Sequence, residues 1–245
     1  MKAVLFALLC ALPGPALADD RRSGYEYMQA ETRAMQDDDM SNPGTLWVLD
    51  GEALWKRKVG TSGRACADCH GAMKGVAASY PKLDAKRGKP IDLEQRINFC
   101  RVEHQGAPAL AWESRELLAL SAYLGMQSRG LPIAADEASR PFADKGRELF
   151  FRRQGQINLS CAQCHDQNAG RHLGGSVIPQ GHPTGYPLYR LEWEGLASLQ
   201  RRLRNCMANV RATPYAYGSD ELVDLELYLM RRAEGMKMET PAVRP

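Results

Sequence analysis

Two pentapeptides hold the residues best placed to do chemistry: CADCH at Cys66–His70 and CAQCH at Cys161–His165. Paired thiols at this spacing, with a histidine directly after the second, suit a c-type haem. The thiols add across the two vinyl groups as thioethers, and the histidine falls beneath the iron as its proximal ligand. A zinc site would want further Cys or His at knuckle spacing, and a redox dithiol does not need the histidine. The motif occurs twice, so the sequence predicts two covalently bound c-type haems. They are attached through Cys66, Cys69, Cys161 and Cys164, with His70 and His165 as metal ligands.

The elements that position these motifs recur as well. GEALWKRKVGTSGRACADCH, from Gly51, matches GRELFFRRQGQINLSCAQCH, from Gly146, without a gap. The pairs Leu54–Trp55 and Leu149–Phe150 mark the opening helix of each unit. Downstream, LEQRINFC ends at Cys100 and LQRRLRNC at Cys206. Then SRELLALSAYL, from Ser114, matches SDELVDLELYL, from Ser219, with leucines at helical spacing and serines as N-caps. The expected fold is all-α: two tandem class I-like cytochrome c domains related by internal duplication. The expected boundaries are an arm over 19–43, an N-terminal domain over 44–130, a linker over 131–140 and a C-terminal domain over 141–245.

Cys100 and Cys206 occupy equivalent places, where a small cytochrome domain usually offers a methionine as the sixth ligand. Three readings stand. The two cysteines bridge to each other, as an oxidising compartment permits. Or they are inert thiols while Met73, Met126, Met207 or Met230 ligates the iron. Or each thiolate ligates its own haem and holds it at low potential. Arg96 and Arg202 stand four residues before their cysteines, on the same helical face, where a guanidinium favours the thiolate or holds a haem propionate. Arg201, Arg204 and Arg211 add a cationic rim around Cys206, suited to a small dianion or simply to a solvated face.

Two Cys-x-x-Cys-His motifs, each followed by a lone cysteine in NFC or RNC, resemble the SoxA subunit of the sulfur-oxidising SoxAX cytochrome. The stretch GGSVIPQGHPTGYPLYRLEWEGLASLQRRLRNC, Gly174–Cys206, is similar to that family's C-terminal haem domain. The resemblance implies an L-cysteine S-thiosulfotransferase that joins thiosulfate oxidatively to a cysteine of the carrier protein SoxY, electrons leaving through the haems. It implies a SoxX-type monohaem cytochrome as partner and the catalytic haem in the second half. Cys206 is then catalytic and Arg202 its neighbour, with haems ligated by His70/Cys100 and His165/Cys206. His182, in the rigid QGHPTGYP loop, is a weaker catalytic candidate at the pocket entrance, and Arg231 is one whose reach depends on the fold. An electron-transfer dihaem cytochrome and a carrier-independent thiosulfate dehydrogenase are the alternatives.

The start of the chain reads as a signal peptide over 1–18: Lys2, a short apolar run that includes Cys10, and Ala16–Ala18 before the acidic Asp19–Asp20. That run is too short to span a membrane, so a periplasmic protein without a membrane anchor is expected. The formal net charge of +3 comes with no polybasic tract, which argues against nucleic acid as a partner.

Overall fold

The computed structural model describes residues 19–245. The expected signal peptide lies outside the described residues.

The duplication is visible as two helix crossings. Helix α1 (Ala30–Asp37) belongs to the N-terminal arm. Helix α2 (Thr45–Lys56) crosses α4 (Arg115–Met126), and α5 (Arg140–Phe151) crosses α8 (Asp220–Arg232). Each crossing brings backbone against backbone at a glycine. A Cβ on Gly51 would lie 2.0 Å from the Ala119 carbonyl oxygen, and one on Gly146 would lie 1.9 Å from that of Asp224. No side chain fits there, which is why both repeats open with glycine. One turn on, Trp55 and Phe150 are buried and pack on Tyr123 and Tyr228. The leucines of α4 and α8 fill the two cores. Ser114 and Ser219 cap those helices as expected, accepting from Leu117 N and Leu222 N.

Between the crossings lie α3 (Leu93–Cys100), extended by a π-turn at Arg101–Gln105, then α6 (Cys161–His165) and α7 (Leu199–Asn209). The loop ahead of each haem motif is tied to the end of the helix carrying the lone cysteine. Gly60 and Gly155 turn with φ of +67° and +71°. There, Thr61 N and Ser62 N donate to the Gly106 and Gln105 carbonyls, and Gln156 N and Ile157 N donate to those of Arg211 and Val210. Only glycine adopts that backbone without strain, and any Cβ would strike the facing carbonyl.

The all-α expectation needs correction, because three small sheets are present. Strand β1 (Lys82–Asp84) pairs with β2 (Lys89–Ile91), and β3 (His172–Leu173) pairs with β4 (Ser176–Val177). The third sheet has β5 (Leu188–Arg190) at its centre, antiparallel to β6 (Gly195–Ala197) and parallel to β7 (Ala242–Arg244). Strands of two or three residues are too short to show alternation in sequence, and β7 is a strand only because distant β5 supplies its hydrogen bonds.

Residues 131–140 are tied to both halves at Ile133 and Ala134. Ile133 N donates to the Met236 carbonyl and Ala134 N to that of Ala78. Ile133 is buried in a core shared with Leu117, Met230 and Met238, from both halves. The arm is docked too: the Gln36 side chain accepts from Val243 N, and Asn42 donates to the Pro241 carbonyl. At the seam between halves, the caps of the two cysteine helices are cross-linked. Gln200 of α7 donates to Asp92, the cap of α3, at 2.7 Å, and Ser198, the cap of α7, donates to Glu113. Among the described residues no helix is long and apolar enough to cross a membrane.

Candidate functional site

The second half assembles its chemistry around α6 and α7. Ser160 caps α6 reciprocally with Gln163, so CAQCH forms a true helical turn. His165 follows, its Nδ1 bound to the Pro179 carbonyl at 2.7 Å. Gly181 presses on the same ring, since a Cβ there would lie 3.2 Å from His165 Cγ. The imidazole is thereby oriented, with Nε2 left for other use. Cys206 faces it from α7 within hydrogen-bonding reach. Cys161 and Cys164 lie close enough to feel the charge of Cys206. Two free thiols on one helical turn, an oriented histidine and a soft sulfur opposite could hold a c-type haem, so the residues present fit the group.

Electrostatics separate these thiols. Burial, then the neighbouring Cys206, pushes the Cys161 thiol up to about 11. Burial pushes Cys206 up too, but His165, Arg202 and Arg190 outweigh it, and its pKa lies below the ordinary thiol value. Of the arginines grouped in the sequence, only Arg202 converges on Cys206. Arg201 stacks over Trp193 and Arg204 over Tyr217, at 4.5 and 4.4 Å from the ring centres, and Arg211 turns away at φ 55° after the helix. The Cys206 charge holds Arg202 above its ordinary pKa. Among the described residues Arg202 has no carboxylate partner within ion-pair distance.

The first half differs at each step. Ala65 stands where Ser160 caps α6, and CADCH forms only a 3-10 turn at Cys66–Asp68. His70 is exposed beside Trp55, ring centres 5.8 Å apart. Cys100 lies within electrostatic reach of Cys66 and Cys69. Its pKa is raised, by burial first, against the pull of Arg96. Arg96 is engaged elsewhere: it donates to Asp84 at 2.6 Å and to the Tyr80 hydroxyl at 3.3 Å.

The six described cysteines are all free, so Cys100 and Cys206 do not bridge. Met207 and Met230 are buried in the apolar cores. His182 does not join Cys206 and Arg202. Its Nδ1 meets the Arg22 carbonyl at 2.9 Å, and it shares a cavity of about 330 Å3 with His165, Arg21, Asp166 and Arg232. Burial lowers its pKa. Arg231 turns to Glu137 at 2.8 Å.

Two residues of the site escaped the sequence reading: Tyr186, half-buried beside Arg202 and Cys206, and Arg190, which ends β5. A signal was present. Tyr80-Pro81 and Tyr186-Pro187 each begin twenty residues before the lone cysteine, so the second repeat runs unbroken from Tyr80 to Cys100 and from Tyr186 to Cys206.

Two helical units, each carrying a Cys-x-x-Cys-His turn against a distal helix, define a c-type cytochrome. The family model for the SoxA/TsdA cytochrome c domain matches residues 50–133 and 145–238, and the chain belongs to that family. Cytochrome c domains carry covalently bound c-type haem. The chain is 40% identical to the L-cysteine S-thiosulfotransferase subunit SoxA of Rhodovulum sulfidophilum, over 95% of this chain and 84% of that one. It is 39% identical to the same subunit of Pseudaminobacter salicylatoxidans, over 92% and 82%. The crystal structure of SoxXA from P. pantotrophus superposes with a TM-score of 0.88 at 33% identity, covering 92% of this chain and 87% of that chain.

Proposed function

We propose that this chain is the SoxA-type subunit of an L-cysteine S-thiosulfotransferase, joining thiosulfate oxidatively to a cysteine of a SoxY-type sulfur carrier. The observation that carries the reading is Cys206 with Arg202 on one face of α7, opposite an oriented His165. The relatives' printed names support the activity, and the SoxXA match supports a SoxX-type monohaem cytochrome as partner. The reading includes two haems, ligated by His70/Cys100 and His165/Cys206 and attached through Cys66, Cys69, Cys161 and Cys164, in domains over 44–130 and 141–245, and a periplasmic location.

Thiosulfate and the carrier thiol become a carrier S–S–SO3⁻ adduct, releasing one proton and two electrons. A new S–S bond forms, and the thiol S–H bond breaks. When bound, haem supplies one-electron acceptance next to Cys206. Arg202 holds the sulfonate end by charge-assisted hydrogen bonds, which turns the outer sulfur toward the Cys206 sulfur. Cys206 contributes a soft, electron-rich sulfur at which thiosulfate sulfur can be held. His165, fixed by Pro179, keeps the facing geometry. His182 anchors the N-terminal arm through the Arg22 carbonyl.

The test is thiosulfate transfer to a carrier cysteine by the haem-loaded complex with its monohaem partner. Cys206→Met is expected to lose transfer while both haems stay attached. Undiminished turnover would overturn the assignment. Tetrathionate formed without carrier would indicate a thiosulfate dehydrogenase, and redox cycling alone an electron-transfer cytochrome.

A further inference from the structure

The unbroken second repeat pairs Asp84 with Arg190. Both end the first strand of a hairpin, in the same register: Asp84 opposite Lys89, and Arg190 opposite Gly195. Both precede a cysteine by sixteen residues and an arginine of the cysteine helix by twelve. In the first half the acid neutralises that arginine, since Asp84 is 4% exposed and accepts from Arg96 at 2.6 Å and Arg87 at 3.2 Å. In the second half the place of the acid is taken by a second guanidinium. Arg190 and Arg202 both act on the Cys206 thiol and on the half-buried Tyr186 hydroxyl.

Both guanidiniums act on the Cys206 sulfur, and an anion held between them would offset their mutual repulsion. Arg190 also carries an unanswered donor. Its Nε is buried with no hydrogen-bond partner, while its Nη2 reaches only Glu192, an exposed residue, at 2.7 Å. A buried N–H without an acceptor is costly, and an anion oxygen would satisfy it. The strand is rigid where this matters, for β5 is held on one side by β6 and on the other by β7, whose Arg244 pairs in register with Arg190. In the first half no third strand backs β1.

We propose that Arg190 is a specificity-determining residue: with Arg202 it forms a two-guanidinium seat for the oxyanion end of a small sulfur dianion presented to Cys206. The proposal rests on the thiosulfotransferase reading and adds a residue to it. The acid-to-arginine exchange at this one position is what converts the repeat from a neutralised pocket into an anion site. The same chemistry would also suit a haem propionate, so the experiment separates the two sources.

The haem-loaded complex with its monohaem partner is titrated with thiosulfate in the absence of carrier, following haem absorbance, for the wild type, Arg190→Gln and Arg190→Lys. Transfer kinetics and haem reduction potentials are measured on the same samples. In Arg190→Gln the half-saturating thiosulfate concentration is expected to rise roughly tenfold or more, in titration and as KM, as expected for loss of a charge-assisted hydrogen bond. Arg190→Lys recovers part of the loss, and haem content and potentials stay at wild-type values. Three results would overturn the proposal: no response of the wild type to thiosulfate, wild-type titration in Arg190→Gln, or a shifted potential with KM unchanged, which would assign Arg190 to a propionate. If the wild type titrates in an Arg190-dependent way yet transfers nothing to a carrier cysteine, the transferase reading falls and the anion seat stands.

Discussion

Arg96 and Arg202 stand at the same step of equivalent helices, four residues before a cysteine, and do different work. Arg96 is bound to Asp84 and Tyr80. Arg202 faces Cys206 beside a second arginine, Arg190. The scaffold around the two is conserved between the halves: the glycine crossings, the positive-φ loop glycines and the capped helices all repeat. The divergence lies in a few side chains that set local charge and helix order. Ser160 lets CAQCH wind into a helix, where Ala65 leaves CADCH as a 3-10 turn. Duplication thus supplied two similar pockets, and single-residue changes made one a place for an anion and left the other neutral.

The sharpest way to break this comparison is to exchange the cysteines' roles. Cys206→Met is expected to lower transfer by about a thousandfold or more, as for loss of a group that acts at the reacting atoms, while Cys100→Met retains most activity in the same assay. Equal losses would mean that both pockets do the chemistry. The scaffold should respond symmetrically. Gly51→Ala and Gly146→Ala each push a methyl into a facing carbonyl and should each cost about 3 kcal/mol in denaturant unfolding of the haem-loaded protein.

The arginine pair gives a smaller, opposite-sided contrast. Arg202→Gln should lower kcat/KM about tenfold with little change in stability, because the lost partner is the anion. Arg96→Gln should leave kcat/KM in place and cost about 1 kcal/mol in stability, because buried Asp84 keeps Arg87 but loses its shorter ion pair.

The smallest effect concerns pH. At the second glycine crossing Asp224 replaces Ala119 of the first. Burial, only partly offset by Lys145, pushes the Asp224 carboxyl up to about 6 from an ordinary 3.8. The folded state therefore holds a proton that the unfolded chain has released, and stability falls as pH rises through that window. Urea midpoints measured across it should flatten in Asp224→Asn by about 1 kcal/mol, and the first half has no counterpart.

Much of this was legible in residue order. The haem motifs, their histidines, the two lone cysteines, the opening and closing helices and the caps Ser114 and Ser219 are local patterns, set by covalent spacing and helical period. Arg202 was legible too, because four residues make one helical turn. The small sheets were not, since β7 becomes a strand only by meeting β5 across the chain. Nor was the packing of Ile133, within 131–140, into a core shared by both halves. His182 read as a pocket residue and does line a cavity with His165, but its contact with the Arg22 carbonyl, 160 residues away in the chain, was not legible.

Local sequence by itself determined the chemistry on offer: two attachment turns, two histidines and two cysteines with an arginine one turn away. Only the tertiary structure decided which arginine is neutralised and which is left to meet an anion. That depends on whether the strand packed against the cysteine helix ends in Asp84 or Arg190, and charge neutralisation is a property of atoms brought within a few ångströms across the fold rather than of neighbours in the chain.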